Sequence, residues 1–309
     1  MIFVGEVHTG LLRNSSAVDS RTAVSLMGLK AGAPVRHRER PVRFAASPEI
    51  LTGLDCLLLP SPEIRAVGTA SSHAVLTGGQ VLQCATSVHV VQSHAGRRLR
   101  WSHYMSCPGT VEAINRLDVG RFADGFLTTT AAGSTMDLSA VNGHLHSRLQ
   151  SSDGLDGSVA FRMPPLRLRW VAFPDSPATS VNLSIGRDGL RRLVLRQRRM
   201  DRAAISTLAE DVALHDWLLN SVQKLLDSSR IGGVGLADVV RRLTPAVNYL
   251  LHLWMPGARL DDELRPIWES LEKKSGFSRL WRVSIDRIRD QLSLAAASRQ
   301  LDPTPSNTA

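Results

Sequence analysis

The stretch from Val67 to Val91 constrains this chain more than any other. Two runs rich in β-branched and apolar residues flank Thr77-Gly78-Gly79-Gln80. Gly-Gly in that position suits a two-residue type I′ turn, which needs φ > 0 at both central residues. With Gly78-Gly79 as the loop, counting outward sets the register. Leu76 faces Val81, Val75 faces Leu82, Ala74 faces Gln83, and His73 faces Cys84. Alternation then puts Val75, Leu82 and Val88 on one face with His73 and Cys84. The opposite face carries Leu76, Val81 and Ala85 with Ser72, Gln83 and His89. Neither face is strongly polar, so the hairpin is expected at the centre of a sheet, covered on both sides.

The rest of the chain divides by period. Ile2 to Val7 alternates weakly and predicts a first strand. Asn14, Ser15 and Ser16 are good N-caps for a helix over Ala17 to Leu29. Phe44 to Ala46 and Leu54 to Leu59 read as strands. Ser47-Pro48-Glu49 reads as a cap with Pro at the first position of a short helical turn. Pro108 predicts a helix running to Leu117, and Met136 to Leu149 a second one containing Gly143. Ser151 to Ser158 is a Gly/Ser/Asp connector. Leu166 to Phe173 is a strand, and Val181 to Ile185 with Leu190 to Leu195 forms a second hairpin that could join the sheet of the first.

From Asp201 the period becomes helical. Ile205, Leu208, Val212, Leu219, Val222 and Leu226 form a stripe widened by Leu214, Leu218 and Leu225, which suits a helix buried on more than one side. Gly232-Gly233 reads as an interhelical turn. Pro245 predicts a kink within Leu236 to Trp254. Asp261-Asp262-Glu263 places acid at the start of another helix, Gly276 ends it, and Ser278 to Ala297 is the last. The fold class is therefore α+β. A hairpin-rich region over residues 1–199 precedes an all-helical region over 200–298, and a polar tail over 299–309 is expected to be disordered.

With 309 residues and 43% hydrophobic content, the chain can bury a sizeable core. Cys56, Cys84 and Cys107 form no CxxC pair, which fits a reducing compartment rather than a disulfide framework. The first residues lack the pattern of a signal peptide, and no apolar run approaches a membrane span. A cytoplasmic location is expected.

No motif assigns chemistry. His73, Cys84, His89, His94, His103 and Cys107 are potential metal ligands, but their spacings match no zinc pattern. His144 and His146 diverge on a helix. Ser93-His94 and Ser102-His103 lack a GxSxG elbow. Glu6 and His8 share one side of a strand, as any i, i+2 pair does. No phosphate-binding glycine motif is present. No catalytic residue and no cofactor are therefore assigned.

Charge offers a different lead. The net charge is +9, and arginines cluster three times. Arg36, Arg38, Arg40 and Arg43 form one group. Arg97, Arg98 and Arg100 form a second, which Trp101 supplies with a stacking surface. Arg191, Arg192, Arg196, Arg198 and Arg199 form the third. Such a balance favours anionic partners, although ion pairing with the 28 acids would also absorb it. Arg97, Arg98, Arg100 and Trp101 are the candidate partner- or anion-binding residues.

Several stretches taken together resemble one protein family: VGEVHTGLLRNS (4–15), SPEILTGLDC (47–56), SSHAVLTGGQVLQ (71–83), RRLRWSHYMSCPG (97–109), ALHDWLL (213–219) and the ending WMPGARLDDELRPIWESLEKKSGFSRLWRVSIDRIRDQL (254–292). This is an uncharacterised actinobacterial family of about this length. The resemblance covers nearly the whole chain, apart from Leu190 to Asp201 and the tail. The family has no assigned activity, so the resemblance implies no catalytic residue. Its members are encoded beside a variant P-loop protein, which implies a shared complex or pathway.

The leading expectation is a non-enzymatic intracellular component of a multi-protein assembly, with Trp and Arg as interface anchors and the Trp-bearing C-terminal helices as the leading surface. The alternatives are a nucleic-acid-binding protein acting through the arginine clusters and a metal-dependent enzyme using the His/Cys group.

Overall fold

The computed structural model describes residues 1–198, 201–229 and 236–301. The turn expected at Gly232-Gly233, Arg199 of the third cluster, and the tail beyond Leu301 lie outside the described residues. In chain order the elements are β1 (Ile2–Leu11), α1 (Ser20–Met27), β2 (Arg36–Arg38), β3 (Phe44–Ala46), β4 (Ile50–Leu57), β5 (Arg65–Thr77) and β6 (Val81–Gln92). Then follow α2 (Trp101–Met105), β7 (Thr110–Ala113), α3 (Val119–Thr128), α4 (Leu138–Gln150), β8 (Leu166–Phe173), β9 (Asp175–Ile185) and β10 (Arg191–Arg198). The chain continues with α5 (Arg202–Ser228), α6 (Leu236–Pro245), α7 (Arg265–Ser275) and α8 (Phe277–Leu301). The fold is mixed α+β, and α5 to α8 form the helical C-terminal part.

Among the described residues ten strands form one mostly antiparallel sheet, in the order β2-β3-β5-β7-β6-β1-β8-β10-β9, with β4 also on β5. The β5–β6 hairpin is central, as its two apolar faces predict. The second hairpin, β9–β10, joins the same sheet through β8. Helices cover both faces. Phe3, Val7, Val81, Leu168 and Trp170 pack on one side with the Leu208, Val212 and Trp217 face of α5. On the other side Val4, Val88 and Val90 meet Phe122 and Phe126 of α3, while Leu76, Leu82 and Cys84 meet α1 and α4. The wide apolar stripe of α5 is buried as its sequence predicts, with Trp217, Leu218, Val222 and Leu226 all inside.

The hairpin register differs from the sequence-based expectation by one residue. Gly78 and Gly79 do adopt φ of +62° and +71°, and Gln80 N–H donates to Thr77 O at 3.1 Å. However, Thr77 pairs with Val81, Leu76 with Leu82, Ala74 with Cys84 and His73 with Ala85. Gln80 is an extra loop residue. Its carbonyl accepts Leu12 N–H at 2.7 Å, and the Gly79 carbonyl accepts Val18 N–H at 3.0 Å. These tertiary bonds settle the loop length, and the count from the glycines alone could not see them. A one-residue slip moves side chains across the sheet, so His73 and Cys84 lie on opposite faces.

Three local expectations also change. Pro108 does not open a helix: Gly109 turns with φ +73°, and Thr110 and Val111, both β-branched, enter β7. Ser47 does not cap a helical turn, because its hydroxyl accepts Ala74 N–H at 2.9 Å on β5, between the pairings of β3 and β4. The caps expected at Asn14 to Ser16 are replaced by Asp19, whose carboxylate accepts Thr22 N–H. Helix α3 was not anticipated, although Asp118 caps it by accepting Arg121 N–H. Pro245 ends α6, and one π turn and one 3-10 turn follow it, as a helix that loses a donor requires. Helix α8 continues past Ala297 to Leu301, so residues 299–301, assigned to the tail from sequence, are helical. No helix among the described residues is long and apolar enough to cross a membrane.

Candidate functional site

Arg97, Arg98, Arg100 and Trp101 come together as one surface at the loop entering α2. The loop is held at three points. Leu99 N–H donates to the buried Tyr104 hydroxyl at 2.9 Å. Arg98 Nε donates to Asp55 Oδ2 at 3.1 Å, and its guanidinium stacks 5.5 Å from the Trp101 ring centroid. Asp55 also accepts Arg65 Nε at 2.7 Å. The Arg65 hydrogen bond, followed by its charge and that of Arg98, holds the Asp55 carboxyl below its ordinary range despite partial desolvation.

Trp101 lies over Gly53 of β4. A Cβ at Gly53 would come within 3.2 Å of the indole, so the bare backbone is what lets the ring approach the strand this closely. Tyr104 meets Trp101 edge-on at 5.8 Å. The ring is thus fixed from two sides, yet Trp101 remains 39% exposed, and Met105, one turn on, is 55% exposed. Arg97 and Arg100 are exposed, and no ion pair is formed by either among the described residues.

The other two arginine clusters are built into the fold only in part: Arg36, Arg38, Arg40 and Arg198 are exposed and form no ion pair among the described residues, whereas Arg43, Arg191, Arg192 and Arg196 are engaged. Arg43 donates to the carbonyls of Val18 and Gly78, both at 3.0 Å, clamping the hairpin turn. Arg191 binds Asp216 at 2.6 Å, Arg192 donates to Leu127 O at 2.8 Å, and Arg196 stacks 4.3 Å from the Phe173 ring centroid. The C-terminal tryptophans serve the core rather than a surface. Trp254 and Trp281 stack at 4.2 Å, and Trp268 and Trp281 are buried.

Two carboxylates lie deep in the molecule. Glu6 on β1 accepts from His8 at 2.9 Å, Arg167 at 2.7 Å and Arg169 at 3.0 Å. Burial pushes its carboxyl up, but the His8 hydrogen bond and the three cationic partners outweigh that and hold it at about 2. Arg169 continues to the carbonyls of Phe126 and Thr129 at the end of α3. Glu210 in α5 lies 2.7 Å from His73 Nε2 and 2.7 Å from Arg259 Nη2. Here too burial raises the carboxyl, and His73 and Arg259 bring it down to about 2. Both clusters neutralise a buried charge, which only a paired geometry tolerates. Glu6 beside His8 was legible in β1, but Arg167, Arg169 and the whole Glu210 cluster were not. Their one sequence signal is an acid set in an otherwise apolar pattern.

The His/Cys group does not assemble. His73 turns to Glu210, and Cys84 lies on the opposite face, where burial pushes its thiol upward. His103 Nε2 sits 2.6 Å from Glu112 Oε1, while Ser93 Oγ donates to the other oxygen of the same carboxylate at 3.0 Å. Glu112 thus stands between the serine and the imidazole. Among the described residues, no three His, Cys, Asp or Glu side chains converge as a metal site. A cleft of about 920 Å³ opens at the end of β1 beside α4, lined by segments too far apart in sequence to be associated by spacing.

Comparison with protein-family models, with curated proteins and with solved structures finds no significant match to this chain.

Proposed function

We propose that this chain is a non-enzymatic, intracellular protein-interaction component of a multi-protein assembly, docking through the α2 surface. The observation that carries this reading is Trp101, a large ring packed against Gly53 of β4 and Tyr104 and still 39% exposed. Met105 extends its apolar area, and Arg97 and Arg100 supply uncompensated charge beside it. Trp, Met and Arg are enriched at interfaces, and Trp and Arg dominate binding energy there. A fixed aromatic also loses little conformational freedom on binding. The complementary partner presents an apolar pocket rimmed by acidic groups. The P-loop protein implied by the family resemblance is the first such partner to test.

The same arginines, with Trp101 as a stacking platform, also support nucleic-acid binding. The two readings separate in a pull-down from the native host at low salt, with a nuclease-treated arm in parallel. A discrete captured protein, insensitive to nuclease and lost with Trp101→Ala plus Met105→Ala, is expected. Nuclease-sensitive capture would overturn the protein-partner reading. So would sub-micromolar duplex binding that the triple change Arg97→Ala, Arg98→Ala, Arg100→Ala abolishes.

A further inference from the structure

The cleft at the end of β1 has an unusual charge distribution. Arg13, His144, His146, Arg148 and Arg162 line it, and no Asp or Glu does. Buried carboxylates elsewhere in the fold hold arginines, as at Glu6, Asp216 and Glu210, whereas this cleft gathers its arginines with no carboxylate in its lining. Arg13, Arg148 and Arg162 are exposed and form no ion pair among the described residues. They come from three separate segments: the second residue after β1, the last turn of α4, and the irregular run before β8. Like charges gathered without an anion repel one another, and an anion placed among them relieves that repulsion.

Beside its cationic and neutral polar residues, the cleft has an apolar part. Val159, Met163, Pro164 and Pro165 line it. Phe161 is buried and stacks on Tyr249 with centroids 6.1 Å apart, so its ring face is already covered. The available apolar surface is therefore aliphatic, which favours a hydrocarbon body over a planar base.

Its walls are fixed before anything binds. Gln150 Nε2 donates to Leu11 O at 2.8 Å, and its Oε1 accepts Arg13 N–H at 2.7 Å. Gly157 N–H donates to Arg13 O at 3.2 Å, and Asp156 accepts the Ser15 and Ser158 amides at 3.0 and 2.9 Å. On the opposite wall, Trp217 Nε1 donates to Pro164 O at 3.1 Å, anchoring that segment to α5. A volume of about 920 Å³ falls within the size range of small-molecule sites.

We propose that this cleft binds a small amphiphilic anion: an aliphatic chain carrying a phosphate-type head group, with Arg13, Arg148 and Arg162 meeting the head and Val159, Met163 and the two prolines holding the chain. Arginine suits that head because its planar fork donates two parallel hydrogen bonds to one oxyanion. The site shares no residue with the α2 surface, so either proposal can fail without the other.

The test is calorimetric titration of the full chain at low salt with octyl phosphate, kept monomeric, against inorganic phosphate alone and octanol alone. Octyl phosphate is expected to bind saturably, and each half-ligand at least about tenfold more weakly, as two separately contributing parts require. Charge reversal by Arg13→Glu with Arg148→Glu, both on exposed positions that leave the core intact, is expected to weaken octyl phosphate at least about tenfold. Val159→Asn, which adds polarity without charge, is expected to weaken octyl phosphate while leaving the weak inorganic phosphate signal unchanged. No saturable binding of octyl phosphate, or binding that the charge reversal leaves within about twofold, overturns the proposal.

Discussion

Replacing Glu210 by Gln keeps the side-chain volume and removes a buried charge from α5. The carboxylate is fully buried between His73 on β5 and Arg259, at 2.7 Å from each. The substitution leaves the Arg259 guanidinium, itself nearly buried, without its anion, although its stacking on Phe44 at 5.3 Å remains. Breaking one member of a buried ion pair costs about 3–5 kcal/mol, because the partner stays desolvated and unpaired. The carboxyl itself gives a similar magnitude. A group held at about 2 instead of 4.5 stabilises the folded state by on the order of 3 kcal/mol. The folded value lies below the unfolded one, so this contribution is complete above about pH 4.5 and is lost as the pH falls toward about 2. Urea unfolding of wild type and Glu210→Gln across that range is the assay. Glu6 titrates over the same window, but it is common to both proteins and cancels in the difference. The variant should be less stable by about 3 kcal/mol near neutrality, and the gap should narrow steadily in acid. Should Glu210→Gln fail to fold, the variant His73→Leu, Glu210→Leu, Arg259→Met should refold, because removing every charge removes the unpaired one. A gap under about 1 kcal/mol, or one independent of pH, would refute the pairing argument.

Trp217→Ala removes a 1%-exposed ring and its hydrogen bond to Pro164. A loss of about 3–5 kcal/mol in chemical denaturation is expected, and a loss under about 1 kcal/mol would mean the α5 stripe is not the core. Gly79→Val forces a β-branched residue into φ +71°, with its Cβ 2.3 Å from the Val18 carbonyl oxygen. It should destabilise by more than about 2 kcal/mol, and an unchanged denaturation midpoint would show that the turn adjusts freely. In gel shifts, the triple arginine-to-alanine change at Arg97, Arg98 and Arg100 should leave any weak duplex binding with a similar salt dependence. A flattening of the log–log slope by up to about three would instead place phosphates on those residues.

The features that the sequence made legible are those encoded by local period. The α5 stripe, the β9–β10 hairpin, the Pro245 interruption and the Gly78-Gly79 turn each follow from residues within a few positions of one another. What stayed hidden depended on contacts distant in the chain. Strand β7 is too short to carry a pattern, and its place between β5 and β6 is visible only once Val111 is seen opposite both Gly68 and Val90. Ser47 looks like a cap because capping and bonding to a strand use the same hydroxyl. The arginine clusters show the same limit. Arg100 and Arg191 are alike in sequence, and only the presence of Asp216 beside Arg191 makes one of them an internal strap. The α2 surface was legible as a cluster, whereas the cleft beside α4 was not, because Arg13 lies more than a hundred positions from Arg148 and Arg162.

Two of the buried carboxylates, Glu6 and Glu210, divide a common task between the faces of the sheet. Glu6 points toward the α3 side, and Arg169 links it to the last carbonyls of that helix, where a cation is favoured. Glu210 points at the sheet from α5, and His73 and Arg259 tie it to β5 and to the segment following α6. Each cluster joins a helical layer to a strand through a charge that has no good alternative partner nearby. Slipping β5 against its neighbours by one residue would send His73 to the Cys84 face and leave Glu210 half-paired in an apolar interior. Hydrophobic area alone would resist that slip weakly, because Val75, Leu76, Val81 and Leu82 present similar apolar surface on either side. The buried charge discriminates between the two registers far more sharply than the apolar side chains do, since an unpaired carboxylate is costly in one register and satisfied in the other. The residue that looked like half of a metal site is thus better understood as the contact that fixes which way the central hairpin faces.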